Sequence, residues 1–153
     1  MLGWNDYLQG NFPSALDSLT RADKIEPYSF RINYNLGQAL IKLDRPADAI
    51  DRLFIASQID PKNLECATLL NELLRSHQRL PDAIEIIERV SEYTDRRNSF
   101  IEITRSDTLA ESGQIDAAIN VLEAVKKQLS NSDWQLSVRI SDRIRTLKSG
   151  KNH

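Results

Sequence analysis

Apolar and small residues recur along the chain at helical spacing. In Ala49, Ile50, Leu53, Ala56 and Ser57 they fall at i, i+4 and i+7, which lines one face of a helix. Leu36, Leu40 and Leu43 do the same just upstream, where Gly37 and Ala39 leave room for a close neighbour. Followed through the chain, the pattern predicts nine helices over roughly 1–9, 13–25, 29–43, 46–58, 63–77, 80–93, 97–112, 115–128 and 132–148. The last of these differs from the rest. Its apolar positions, Leu136, Val138, Ile140, Ile144 and Leu147, are interrupted by Arg139, Asp142, Arg143 and Arg145. One apolar stripe on a charged helix is what the end of a helical stack requires, because its outer side faces water. Ser132 or Asp133 is the expected N-cap, and the basic final turns suit the helix dipole. Residues 149–153 are expected to fray.

The helix breakers are spaced as regularly as the apolar positions. Gly3 recurs as Gly37, Ala15 as Ala49, Ala22 as Ala56 and Pro27 as Pro61, each 34 residues apart. A further 34 leads from Ala49 to Ala83 and from Ala56 to Val90, and a step of 35 leads from Ala83 to Ala118, so one residue is inserted in that interval. Pro13, Pro46 and Pro81 sit near the starts of predicted helices, where a missing N–H does no harm. Pro27 and Pro61 end helices and open the turn into the next unit. A fixed period of this length marks a repeat of helical hairpins, each burying its apolar face on its neighbours.

These residues resemble the tetratricopeptide repeat (TPR). Asn35-Leu36-Gly37-Gln38-Ala39-Leu40, followed by Ala49-Ile50, Ala56 and Ile59-Asp60-Pro61, is similar to a full unit of that family. The first unit fits at Leu2-Gly3, Gly10, Phe12, Ala15, Ala22 and Pro27, but lacks the first turn of its first helix. The third keeps Leu70, Leu80, Ala83 and Val90, with Asn71 at a small-residue position and Asp95 in place of the proline. The fourth keeps Ser106, Gly113, Ile115, Ala118 and Val125, with Arg105 where the family has leucine. The resemblance covers roughly residues 2–126 and implies an all-α fold, a right-handed superhelix of about four hairpins, the first truncated, closed by a capping helix. Residues 1–148 are expected to form one domain, with 149–153 as its tail. The headless first unit, together with Met1 as the only methionine, suggests that the chain is cut from a longer protein.

Composition narrows the chemistry. Apolar residues make up 41% and charged residues 27%, ordinary for a soluble protein, and a net charge of −2 gives no general attraction to nucleic acid or anionic membrane. No apolar run approaches the ~20 residues of a membrane span, and no signal peptide opens the chain. A cytoplasmic location is the expectation, in keeping with the single cysteine, Cys66. Cys66 has no ligand partner at zinc spacing and no close basic neighbour to activate it. His77 reads as solvated, and Glu85, Glu88 and Glu92 beside Arg89 as an exposed helix face. Arg96-Arg97 and the cluster of Arg139, Arg143, Arg145, Lys148 and Lys151 could touch phosphate, but read as a junction and a charged cap. No catalytic constellation, metal site or cofactor motif stands out, and the chain is not expected to be an enzyme.

The resemblance also implies where a partner would lie. In this family the first helix of each unit lines a concave groove. The corresponding positions are Trp4, Tyr7 and Leu8; then Arg31, Tyr34, Asn35, Gln38, Ile41 and Lys42; then Glu65, Thr68, Leu69, Glu72, Arg75 and Ser76; then Phe100, Ile103, Thr104, Asp107, Ala110 and Glu111. Tyr7, Arg31, Tyr34, Asn35, Gln38, Lys42, Leu69, Glu72 and Arg75 are the candidate contact residues, with Tyr34 and Asn35 as anchors. Their mixture of aromatics, amides and both charges suits a protein or peptide partner. Aromatic and basic residues gather in the N-terminal half of this surface, while Glu65, Glu72, Asp107 and Glu111 make the C-terminal half acidic. A clamp for the terminal carboxylate of heat-shock chaperones uses Lys and Asn in one first helix, Asn in the next, then Lys and Arg; only Asn35 matches, with Trp4, Glu65 and Leu69 at other clamp positions. The expected function is an adaptor, assembly factor or chaperone-type binding module. The alternatives are an arm of a larger enzyme, such as a glycosyl- or sulfotransferase, and a self-associating scaffold.

Overall fold

The computed structural model describes residues 2–150. Among them are nine α-helices: α1 (Leu2–Leu8), α2 (Phe12–Asp23), α3 (Phe30–Lys42), α4 (Pro46–Ile59), α5 (Leu64–Ser76), α6 (Leu80–Tyr93), α7 (Ser99–Glu111), α8 (Ile115–Gln128) and α9 (Trp134–Gly150). The chain divides into two compact units, Met1–Leu73 and Leu74–His153, with the division inside α5. Within the first, α1 packs on α2, α2 on α3 and α3 on α4; within the second, α6 packs on α7, α7 on α8 and α8 on α9.

The hairpins share one turn. Gly10, Asp44, Gln78 and Gly113, which occupy the same repeat position, all have left-handed backbone, with φ of 77°, 54°, 58° and 84°. Each donates its N–H to the carbonyl three residues back, and the following residue donates to the carbonyl five back, as in Asn11 to Asp6 and Arg79 to Leu74. This closes the helix C-terminus by satisfying carbonyls that have no partner within the helix. Glycine adopts this conformation freely, but a side chain with a Cβ is strained there. Gln78→Gly is therefore expected to stabilise the fold by about 0.5–1 kcal/mol, read as a raised urea midpoint with an unchanged slope.

Second helices then start as the prolines dictate, with a proline in the first turn of α2, α4 and α6. Side-chain caps come from Asn11 on α2, Asn63 on α5 and Asn98 on α7. Where the third unit lacks the usual proline, α6 ends instead in two successive left-handed residues, Asp95 and Arg96, and Arg96 donates its N–H to Ser91 O at 3.0 Å. The last helix is entered differently from the expectation of a cap at Ser132 or Asp133. A 3-10 turn, Asn131–Asp133, comes first and is closed by a capping box between Ser130 and Asp133. Helix α9 runs through Ser149 and Gly150, two residues that were expected to fray; residues 151–153 lie outside those described.

In the first unit the core includes Leu19, Ile32, Leu36 and Ala39, with Tyr7, Leu16 and Ala22 packed against them. Gly3 and Gly37 are buried because a second helix crosses directly over them. A Cβ on Gly37 would stand 2.6 Å from Leu53 Cγ. Ser106 holds the same repeat position in the second unit and turns its hydroxyl to Ala118 O at 3.0 Å. A partly buried polar network ties the α2–α3 link down: Asn33 donates to Pro27 O and Ser29 O, and Arg52 bridges Asn33 Oδ1 and Asp23 at 3.2 and 2.8 Å.

In the second unit α9 covers Leu122 and Val125 with Ile140, flanked by Leu136, Ile144 and Leu147. Val138, counted in the apolar stripe from the sequence, is half exposed, as is Trp134 one turn before it. Beneath this core lies a charged cluster that explains the arginine at the leucine position of the fourth unit. Arg105 Nη1 donates to Glu102 Oε2 at 2.9 Å, and Glu102, only 4% exposed, also accepts from Ser91. Arg105 Nε lies 3.7 Å from Glu88, within ion-pair range but without a hydrogen bond.

Candidate functional site

The first helices of the first unit, α1, α3 and α5, bring six residues around a pocket of about 390 Å³: Trp4, Arg31, Tyr34, Asn35, Gln38 and Glu65. The spacing of Arg31, Tyr34, Asn35 and Gln38 places all four along one side of α3. Aromatic stacking stiffens two walls. Trp4 lies flat on Tyr7 at 5.0 Å between centroids, and Tyr34 lies flat on Phe30 at 5.5 Å. Tyr7 in turn meets Phe12 edge to face, so the Trp4 wall is anchored in the hairpin behind it.

Polar capacity in this pocket is unusually unspent. Asn35, 6% exposed, brings its side-chain amide to the lining. Gln38 Oε1 is buried without a hydrogen-bond partner. A buried amide left unpaired costs roughly 1–3 kcal/mol, and such groups in folded proteins ordinarily find partners. Arg31 is exposed and forms no ion pair among the described residues. Glu65 differs, because it faces the Tyr34 hydroxyl: burial, and then this carboxylate, push the Tyr34 phenol well above its ordinary range. The Cys66 thiol lies behind the site, buried, donating weakly to Leu53 O at 3.6 Å and pushed up to about 12 by burial and by the carboxylates of Asp60 and Glu65.

The remaining candidates stand elsewhere. Tyr7 supports Trp4 from outside the lining. Lys42 is exposed in the last turn of α3, and Leu69 and Glu72 lie on α5 outside the pocket. Arg75 belongs to the second unit, where it makes a two-pronged ion pair with Glu111 of α7, Nε to Oε2 at 2.8 Å. That contact holds the Glu111 carboxyl below its usual range. Asp107 is likewise paired, with Arg143 of α9 at 2.7 Å. The acidic surface expected for the C-terminal half is thus largely neutralised at these two positions. Of the basic cap, Arg145 pairs with Asp142 and Lys148 with Glu123; Lys151 lies outside the described residues. Trp4 and Glu65 hold the expected register but were not among the chosen contacts. Phe30 was missed, although an aromatic pair at i, i+4 with Tyr34 is a legible signal.

The pocket, the shared turn and the small-residue crossings all follow the helical-hairpin repeat, and the tetratricopeptide repeat family matches residues 7–73. Residues 7–73 are tetratricopeptide repeats. The whole chain has the fold of TPR solenoids. It is similar to MamA, with a TM-score of 0.79 at 18% identity, covering 99% of this chain and 85% of that one. YrrB, described as a TPR protein with an unusual peptide-binding site, superposes with a TM-score of 0.70 at 19% identity over 92% of this chain and 71% of its own. The first TPR of Spaghetti (RPAP3), bound to the HSP90 peptide SRMEEVD, gives a TM-score of 0.59 at 20% identity, covering 72% of this chain and 89% of that one. No curated protein matches the sequence. Among the described residues no group of three or more His, Cys, Asp or Glu is placed to hold a metal. None of their helices is long and apolar enough to cross a membrane.

Proposed function

We propose that this chain is a protein-interaction module that holds a segment of a partner protein against the first helices of its N-terminal repeats. The observation that carries the reading is a pocket walled by Trp4 and Tyr34 and lined by the side-chain amides of Asn35 and Gln38. An extended backbone supplies both a donor and an acceptor per residue, which is what side-chain amides pair with. Aromatic faces beside them provide area at low conformational cost. The likeness to YrrB and to the peptide-bound TPR of Spaghetti supports a peptide occupant, although the cations of a terminal-carboxylate clamp are missing here. The module would serve an adaptor, assembly factor or chaperone by holding, not by chemistry.

The test is capture from native lysate by the immobilised chain and by its Tyr34→Ala/Asn35→Ala variant. Proteins retained by the native chain are expected to be lost from the variant, with the far-ultraviolet circular dichroism of the two indistinguishable. Equal capture by a folded variant overturns the reading.

A further inference from the structure

Helix α9 carries the repeat further than its charged sequence suggests. The step of 35 that leads from Ala83 to Ala118 also leads from Ile101, Ser106 and Leu109 of α7 to Leu136, Ser141 and Ile144 of α9. The same step takes Thr104, Asp107 and Glu111, which α7 contributes to the expected groove, to Arg139, Asp142 and Thr146. These three line a pocket of about 430 Å³ between α7 and α9, over a floor that includes Ile103, Leu136 and Ile140. Repeat spacing and geometry thus arrive at the same residues. The closing helix is also a first helix, and it opens a site in the second unit that does not depend on the pocket of the first.

Ion pairs decide which charge in this pocket is left over. Asp107 is taken by Arg143 at 2.7 Å, and Asp142 by Arg145 at 3.1 Å. Lys148, also on α9, pairs with Glu123 at 3.3 Å. Arg139 is exposed and pairs with no carboxylate among the described residues. Both acids of the lining are therefore answered by guanidinium groups of α9. The remaining charge is positive, open to solvent and set beside an apolar floor. Apolar surface also continues beyond the pocket: Phe100, one turn before Ile103 on α7, is exposed, and Val138, next to Arg139, is half exposed. A run of that length suits a segment of chain better than a small molecule that only fills the pocket.

We propose that the α7–α9 pocket is a second docking site, which takes a segment of a partner protein through an Asp or Glu side chain paired with Arg139 and a neighbouring apolar side chain seated on Ile103, Leu136 and Ile140. The apolar floor supplies the contact area, and Arg139 sets the charge preference. Arg143 and Arg145 do not compete for the acid, because each already holds a carboxylate of the chain.

The experiment is a selection from a displayed library of random linear peptides on the native chain, followed by fluorescence anisotropy with the recovered peptides in synthetic form. One class of recovered peptides is expected to share Asp or Glu at one position, with an apolar residue close by. Arg139→Glu should weaken this class about ten-fold or more, and selection on that variant should recover Lys or Arg at the same position. Lys127→Glu, an equal charge reversal at an exposed position of α8 outside the pocket, should leave affinity within about two-fold, and Tyr34→Ala/Asn35→Ala should do the same. Acidic peptides that bind the Arg139→Glu chain unchanged but lose affinity with Tyr34→Ala/Asn35→Ala belong to the first unit's pocket; they overturn the second site and leave the groove reading standing. A selection that yields no peptide sensitive to Arg139→Glu overturns it as well. Dodecanoate binding that Arg139→Glu abolishes and no recovered peptide displaces would place a small acid in the pocket, and concentration-dependent self-association abolished by the same variant would place a second copy there. Either result overturns the assignment to a partner segment.

Discussion

Replacing Glu102 with alanine is expected to lower folding stability by about 3–5 kcal/mol, the penalty typical of stranding one member of a buried ion pair. Glu102 accepts from Ser91 and from Arg105 in the interior of the second unit. Without it the Arg105 guanidinium, whose Nε already lacks a hydrogen bond, keeps only the longer contact with Glu88. The loss should come from the unpaired cation, not from missing volume. The Glu102→Leu/Arg105→Leu variant should therefore recover most of it, since a packed apolar pair of similar size is often neutral or stabilising. Urea unfolding of the three proteins checks this; a double variant no better than Glu102→Ala would show that the cluster contributes net attraction.

Gly37→Ala should cost about 1–3 kcal/mol, the usual range for overpacking a filled core. The added methyl would stand 2.6 Å from Leu53 Cγ and 2.8 Å from its Cδ2, and Leu53 is fully buried with no room to retreat. Because the two side chains would compete for one space, their effects should not add. The Gly37→Ala/Leu53→Ala double variant should be more stable than the sum of the singles predicts, and strict additivity in thermal or urea melts would remove the steric explanation. Ser106 carries a side chain at this repeat position and satisfies its hydroxyl on Ala118 O.

Much of this architecture was legible before any coordinates. Helices α4, α6 and α8 begin at the residues read from the sequence, because Pro46, Pro81 and the turn at Gly113 leave little choice. Arg31, Tyr34, Asn35 and Gln38 could be placed together because a helix face is fixed by spacing alone. What escaped depends on contacts between elements. Asp107 and Glu111 read as open acids until Arg143 and Arg75 were brought to them from other helices. Arg105 read as a lapse in the repeat, when it is matched by Glu102 one turn back, which Ser91 on the preceding helix holds in place. The entry to α9 is a different case, since Ser130 and Asp133 have capping-box spacing and could have been preferred to Ser132.

The left-handed turn shared by the hairpins bears on how the chain can change length. Adding a residue inside that turn would rotate the following helix by about 100° and carry its buried alanine, such as Ala49 or Ala118, out of the core. The insertion between Ala83 and Ala118 lies in the link between α6 and α7, where Asp95 and Arg96 reverse the backbone and absorb it. Drift in repeat length is thereby confined to the joints between hairpins, so that the phase of each helix face survives insertions and deletions that its sequence does not.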